Sequence, residues 1–177
     1  MAHPENHWFP WLKNNLDAIG VETEILLMPD PRNPKVNEWV SFLQKTILRH
    51  DEQTFFVAHS LGCIALLRHL NSMNITDRIG GLILVSGFET SLPLHPELDE
   101  FTDTHIDYRI IRSIAQKRAV IVSDNDLVVP PELTITFCSK LNASLVEVKG
   151  GGHFMGSEGF YELPVVWEQL KQMLGVK

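Results

Sequence analysis

The sequence predicts an α/β fold, a doubly wound, mostly parallel sheet with helices on both faces. Three observations carry this. Short apolar runs alternate along the chain with longer segments that show an amphipathic helical period. Runs such as Phe55-Phe56-Val57 and Leu82-Ile83-Leu84-Val85 are continuously apolar, as strands covered on both faces are. Chemically capable side chains follow those runs, where parallel sheets collect their functional groups. At 177 residues the chain has the length of one domain with an ample core, and residues 1–177 are read as that single domain.

The elements follow in order. His7 to Ile19 reads as a helix, with Trp8, Trp11, Leu12 and Leu16 on one face and Gly20 as its stop. Glu24 to Met28 reads as a short strand, and Pro29 to Pro34 as a rigid loop. Val36 to Leu48 is amphipathic through Val36, Trp39, Val40, Leu43 and Ile47. A strand over 54–57 runs into a helix that reaches about Met73, and Gly81 to Val85 is a buried strand. The segment from Glu89 to Asp107 is rich in prolines and acids and reads as a loop or small cap. Tyr108 to Ala115 is a helix, Ala119 to Ser123 a strand, and Pro131 to Leu141 a helix with proline in its first turn. Leu145 to Val148 is a strand, and Phe160 to Leu174 the last helix.

Composition narrows the function classes. Hydrophobic residues make up 44% and charged residues 21%, a globular profile. The formal net charge is −7 and no basic run is present, which argues against nucleic-acid binding. No apolar run approaches the ~20 residues of a membrane span, and no signal peptide is visible at the start. Cys63 and Cys138 lie within apolar helical patterns and lack the paired spacing of a zinc site. They read as reduced core thiols, which points to the cytoplasm. The sequence does not fix an oligomeric state.

The chain is organised around Thr54-Phe55-Phe56-Val57-Ala58-His59-Ser60-Leu61-Gly62-Cys63. An apolar strand meets an apolar helix with a serine at the turn and small residues, Ala58 and Gly62, two positions to either side. That is the pattern of a nucleophile elbow, which holds the serine hydroxyl clear of the sheet and aims the next backbone N–H, that of Leu61, at the same point. The plainer alternative is a buried serine in a strand–helix unit. Two later strands tip the balance. The 119–123 strand leads into Asp124-Asn125-Asp126 with Val129-Pro130, and the 145–148 strand into Gly150-Gly151-Gly152-His153-Phe154. Serine, acid, histidine is the chain order of the α/β-hydrolase triad.

In that reading Ser60 attacks a carbonyl and His153 carries its proton, while an acid fixes the imidazole tautomer. Three glycines before His153 allow the tight path that this needs. Asp124 and Asp126 compete for the acid; Asp126 is favoured by its position ahead of the apolar Leu127-Val128-Val129 anchor. Ser86, Phe88 and Phe154 are candidates for the substrate pocket. His59 reads as packing, because neighbours on a sharp turn diverge. His3 and His7 have the spacing of a helical metal pair but no third ligand, so no metal site is assigned. His50, His69, His95 and His105 read as surface or packing residues.

These stretches resemble the small serine hydrolases of the retinoblastoma-binding protein 9 type and their bacterial relatives. The resemblance rests on Ala58-His59-Ser60-Leu61-Gly62, Asp124-Asn125-Asp126 with Val129-Pro130, and Gly151-Gly152-His153-Phe154. Asn6-His7-Trp8 with Trp11, and Val85-Ser86-Gly87-Phe88, match the bacterial relatives. It covers nearly the whole chain from Asn6 onward. It implies a compact α/β-hydrolase with a minimal cap, a Ser60, Asp126, His153 triad, no cofactor, and a small-molecule ester or amide as substrate. Leu61-Gly62-Cys63-Ile64-Ala65 departs from the Leu-x-Cys-x-Glu motif of the mammalian members, so no pocket-protein partner is implied.

One departure is larger. The family opens with an apolar strand ending in His-Gly, and the loop after it supplies a second oxyanion-hole N–H. Met1 to Asn6 is polar and contains a proline, so this first strand is missing from the sequence. The expectation is that the chain is truncated, that the 24–28 and 54–57 strands pair directly, or that another chain supplies the strand. The gap also keeps a second class of function in play, a non-catalytic hydrolase-fold binding protein with an incomplete oxyanion hole.

Overall fold

A computed structural model describes residues 3–72, 78–103 and 105–176. Its helices are α1 (Phe9–Ala18), α2 (Val36–Thr46), α3 (Leu61–Asn71), α4 (Asp99–Thr102), α5 (Tyr108–Ile114), α6 (Pro131–Leu141) and α7 (Pro164–Leu174). The strands are β1 (Phe55–His59), β2 (Gly81–Val85), β3 (Arg118–Ser123) and β4 (Ser144–Val148). They form one parallel sheet in the order β1-β2-β3-β4, with Phe55 opposite Gly81, Leu82 opposite Arg118 and Ala119 opposite Ser144. Because each connection is a helical crossover, all four strands point their carboxyl ends the same way.

The period of two along each strand splits the core into two layers. Leu82, Leu84 and Val120 face a cluster with Trp39, Leu43, Ile64, Leu67, Ile111 and Phe137, which covers one side of the sheet with α2, α3, α5 and α6. Ile83, Val85, Ala119 and Ile121 face the other way, onto Trp8, Leu12, Leu16, Val166 and Leu170 of the α1 and α7 layer. Burial of each such side chain stabilises the fold by about 1.5–3 kcal/mol, so the interior strands β2 and β3 are its best-secured parts.

Most expected elements are present with shifted ends. The last helix begins at Pro164, because Gly156–Glu158 form a 3-10 turn and Gly159 is left-handed at φ 92°. The cap between Glu89 and Asp107 holds a 3-10 turn, Pro96–Leu98, and α4, whose Phe101 is fully buried edge-on against Trp39. The expected end of α3 near Met73 lies outside the described residues; the helix closes at Asn71. Cys63 and Cys138 are buried, unpaired thiols.

The predicted strand at Glu24–Met28 does not form. Residues 21–28 are irregular and make no ladder with β1, so the direct pairing that the sequence left open is excluded. A strand is a shared structure, and among the described residues no strand pairs with this segment. Side chains hold its flanks instead. Lys13 Nζ donates to the Thr23 carbonyl at 2.7 Å and Trp39 Nε1 to that of Pro29 at 2.7 Å. Leu26 and Met28 pack against the α2–α3 layer. The result is that β1 is an edge strand, although its sequence is apolar on both faces.

Candidate active site

The turn after β1 has the geometry that an elbow requires. Ser60 has a positive φ of 53° with ψ −126°, a strained conformation, and stands at the start of α3. Its N–H donates to the Val85 carbonyl at 2.9 Å, so the β1–β2 ladder holds the serine itself. A Cβ built at Gly62 would meet Ala58 Cβ at 3.9 Å, an ordinary contact. The turn therefore has room for a methyl group at residue 62, a looser demand than the pattern implied. Ser86, at the end of the neighbouring strand, also has a positive φ, 49°, with its N–H on the Ile121 carbonyl. Gly87 behind it is needed for close approach, since a Cβ there would stand 2.4 Å from the Phe137 ring.

The structure brings Ser60, His153 and Asp126 together from three strands. His153 Nε2 lies 2.9 Å from Ser60 Oγ, and Nδ1 lies 2.8 Å from Asp126 Oδ2. An ionised carboxylate can only accept, so Nδ1 carries the hydrogen and Nε2 is left to accept from the serine hydroxyl. Asp126 and His153 are each 4% exposed. Asp126 Oδ1 accepts from the N–H groups of Val128 and Val129, both at 2.9 Å, and Oδ2 also accepts from the Ser86 hydroxyl at 2.8 Å. Burial pushes this carboxyl up, but the His153 bond and charge, the Val129 N–H and the Ser86 hydroxyl outweigh it and hold the pKa below 3.8. Asp124 is exposed and accepts the Gly150 N–H at 2.7 Å, so it shapes the glycine loop and does not reach the imidazole.

The loop that carries His153 is tied from several sides. Gly150 and Gly152 are left-handed, at φ 69° and 53°. Gly152 N–H donates to Asn125 Oδ1 at 2.8 Å, and a Cβ at Gly152 would sit 2.3 Å from Glu158 Oε1. Glu158 accepts the N–H groups of His153 and Met155. His7 Nδ1 accepts the Gly156 N–H at 2.8 Å. Sequence reasoning missed Glu158, His7 and Asn125 as supports of this loop. Their signal was weak, because a backbone N–H acceptor can come from almost any polar residue.

The three pocket candidates sit elsewhere. Ser86 is 1% exposed behind Asp126, Phe88 is fully buried with Leu92 and Val129, and Phe154 is fully buried in the α1–α7 layer. In this structure all three side chains are buried, and none of them lines the cavity described next. A cavity of about 300 Å³ opens nearby between the cap, α5 and α6, lined by Ile64, Glu89, Thr102, His105, Tyr108 and Lys140. Ile64 is one helical turn past Ser60, and none of Ser60, Asp126 and His153 lines this space.

Leu61 opens α3 and is partly buried. The first N–H groups of a helix have no acceptor within it, and the Leu61 N–H is one of these beside Ser60. Cys63 N–H is already occupied by the Ser60 carbonyl at 2.9 Å. His3 Nδ1 accepts the N–H of Glu5, and among the described residues no group of three or more histidine, cysteine or acidic side chains could hold a metal.

A parallel sheet wound by helices on both faces, with a positive-φ serine between β1 and α3, defines an α/β-hydrolase. The chain belongs to the serine hydrolase family, whose sequence model matches residues 1–172. It is 45% identical over 169 residues to the putative hydrolase YdeN of Bacillus subtilis strain 168, covering 96% of this chain and 89% of that protein. The crystal structure of the B. subtilis ydeN gene product superposes with a TM-score of 0.96 at 44% identity, over 98% of this chain and 94% of that one. The serine hydrolase RBBP9 of Rattus norvegicus is 28% identical over 158 residues, 88% of this chain and 82% of its own. Among the described residues no helix is long and apolar enough to cross a membrane.

Proposed function

We propose that this chain is a single-domain, esterase-like serine hydrolase that cleaves small carboxylic esters or amides through an acyl-Ser60 intermediate. The observation that carries the reading is the unbroken hydrogen-bond chain from Asp126 through His153 to Ser60. Ser60 Oγ attacks the substrate carbonyl as His153 Nε2 takes its proton. Asp126 holds the tautomer and stabilises the imidazolium. The Leu61 N–H faces the developing oxyanion. His153 then returns the proton to the leaving alcohol or amine. Water, deprotonated by the same imidazole, releases the acid and restores Ser60. These steps need no cofactor or metal. Two buried, unpaired thiols suit a reducing compartment, which supports a cytoplasmic setting.

A second reading, a hydrolase-fold binding protein without turnover, is favoured by one observation. Among the described residues the outer edge of β1 has no strand beside it, and the loop that would follow such a strand is where a second oxyanion donor belongs. A fluorophosphonate probe followed by mass spectrometry separates the two. Covalent labelling of Ser60, lost in Ser60→Ala, is the expected result for the enzyme; a folded chain that never labels sinks the enzymatic reading.

A further inference from the structure

His59 precedes the serine, and its side chain does not diverge from the site. Its Nε2 lies 2.8 Å from the backbone carbonyl of His153, and the two rings are 4.8 Å apart. A carbonyl only accepts, so Nε2 of His59 carries the hydrogen. The rings of His7, Trp8 and Phe9 pack edge-on around it, each centroid 6.1 Å away. Burial, with the neighbouring His153, lowers the His59 pKa to about 3, which keeps the ring neutral near pH 7.

The other backbone group of His153 is held in the same manner, its N–H bonded to both carboxylate oxygens of Glu158 at 3.1 and 3.0 Å. The residue that contacts Ser60 thus has both main-chain polar groups fixed by side chains, and neither lies in the sheet ladder. His59 and Ser60 are consecutive. One strand end therefore sets both the position of the hydroxyl and the position of the imidazole that meets it. β1 and β4 are at opposite edges of the sheet, and the His59–His153 bond ties the end of β1 to the loop that follows β4.

We propose that His59 is a positioning residue that fixes the approach of His153 to Ser60 by donating its Nε2–H to the His153 carbonyl. The inference rests on the reading of Ser60 and His153 as nucleophile and base. Two substitutions separate positioning from packing. His59→Phe keeps an aromatic ring and removes the donor; His59→Gln loses the ring and keeps an N–H near the same point. With p-nitrophenyl acetate as probe, His59→Phe should lower kcat by up to about a hundred-fold with KM nearly unchanged, the scale of a displacement on the order of 1 Å at the reacting atoms. His59→Gln should recover most of that loss. A His59→Phe variant with full kcat, or a His59→Gln variant as slow as His59→Phe, overturns the proposal. If His59→Phe does not fold, the unmodified chain still decides. Its ¹⁵N-histidine spectrum should show a neutral His59 protonated at Nε2, and a His59 protonated at Nδ1 overturns it. Ser60→Ala assayed in parallel keeps the two ideas apart: turnover that survives it refutes the triad and not the placement of His59.

Discussion

The two edges of the sheet are built on different principles. β4 is Ser144-Leu145-Val146-Glu147-Val148; Val146 and Val148 face the α1–α7 layer, while Glu147 and the 44%-exposed Leu145 face out. A charge on the outward side discourages another strand from pairing there. β1 is Phe55-Phe56-Val57-Ala58-His59, with Phe56 and Ala58 packed toward one layer, Phe55 and Val57 toward the other, and every residue partly exposed. Its first four residues are apolar, as are those of β2, whose five residues are all buried. β4 is thus an edge by design, while β1 is an interior strand placed at an edge. The difference matters because β1 delivers Ser60 and β4 delivers His153. The loop after β4 is tied by Asp124, Asn125, Glu158, His59 and His7. Ser60 depends on its ladder bond to Val85 and on a strand with one open side.

The largest effect tests what the two strands jointly deliver. Ser60→Ala should lower ester hydrolysis by about 10⁶-fold with the fold intact, because members of a nucleophile–base unit fail together. An unchanged rate in the folded variant would sink the triad. Next comes the acid. Asp126→Asn should cost about 10⁴-fold, since an amide there favours the wrong histidine tautomer. Asp124→Asn leaves an oxygen able to accept the Gly150 N–H and should stay within roughly tenfold of the parent. Steady-state kcat for both variants, with circular dichroism to verify folding, is the measurement; Asp124→Asn as the slower of the two would reverse the assignment.

The third prediction acts on the open side of β1. An N-terminal extension bearing an apolar strand that ends in His-Gly should pair with β1 and bring a second N–H to the oxyanion. One such donor is worth about 2.7–4 kcal/mol, or about a hundred- to a thousand-fold in rate. Activity and melting temperature should rise together, while a polar extension of equal length changes neither. If the apolar extension also leaves both unchanged, the outer edge of β1 needs no partner and the contrast with β4 has no functional meaning.

The asymmetry was half legible in the sequence. The buried strands, the serine at the turn and the chain order of Ser60, Asp126 and His153 could be read directly, because periodicity and position after a strand are local properties. The 24–28 strand was misread for the complementary reason. Glu24 to Met28 has strand-like residues, but a strand exists only with a partner, and partnership is not local. Ser86, Phe88 and Phe154 read as pocket candidates from their positions after strands, and the structure buries all three, since the sequence cannot say which way a side chain turns. His59 reads as packing in the sequence because neighbours on a sharp turn diverge, and the 94 residues that separate it from its acceptor carry no local sign of the bond. The apolar run after Asp126 is a partial guide, since Val129 is buried while Leu127 is 86% exposed.

The smallest effect is on stability against acid, and it too divides the molecule between its β1 and β4 sides. Two histidines on the β1 side have depressed pKa values: His59, at about 3, through desolvation and the neighbouring His153, and His69 of α3, at about 4, through desolvation and the neighbouring His50. His69 is 2% exposed, and its Nε2 lies 2.9 Å from that of His50, whose ring is tilted beside Phe56 of β1 at a centroid distance of 6.2 Å. Above about pH 6.5 each is neutral both folded and unfolded, so neither penalises the fold. As pH falls below that value the unfolded chain takes up protons that the folded chain refuses, and stability drops until the folded values are reached. At pH 5 this amounts to roughly 1–2 kcal/mol for each histidine. Asp126, on the other side, has a folded pKa below 3.8, so its contribution is complete above that pH and is lost only as pH falls further. Between about pH 6.5 and 4, then, the β1 and α3 region should weaken while the loop around Asp126 stays held. Amide hydrogen exchange compared at pH 7 and pH 5, corrected for intrinsic rates, should show lost protection first in α3 and β1. His69→Leu should flatten that response. A loss of protection that begins in β3 and β4, or a His69→Leu variant as acid-sensitive as the parent, would mean that the weak side of the sheet is not the side that carries Ser60.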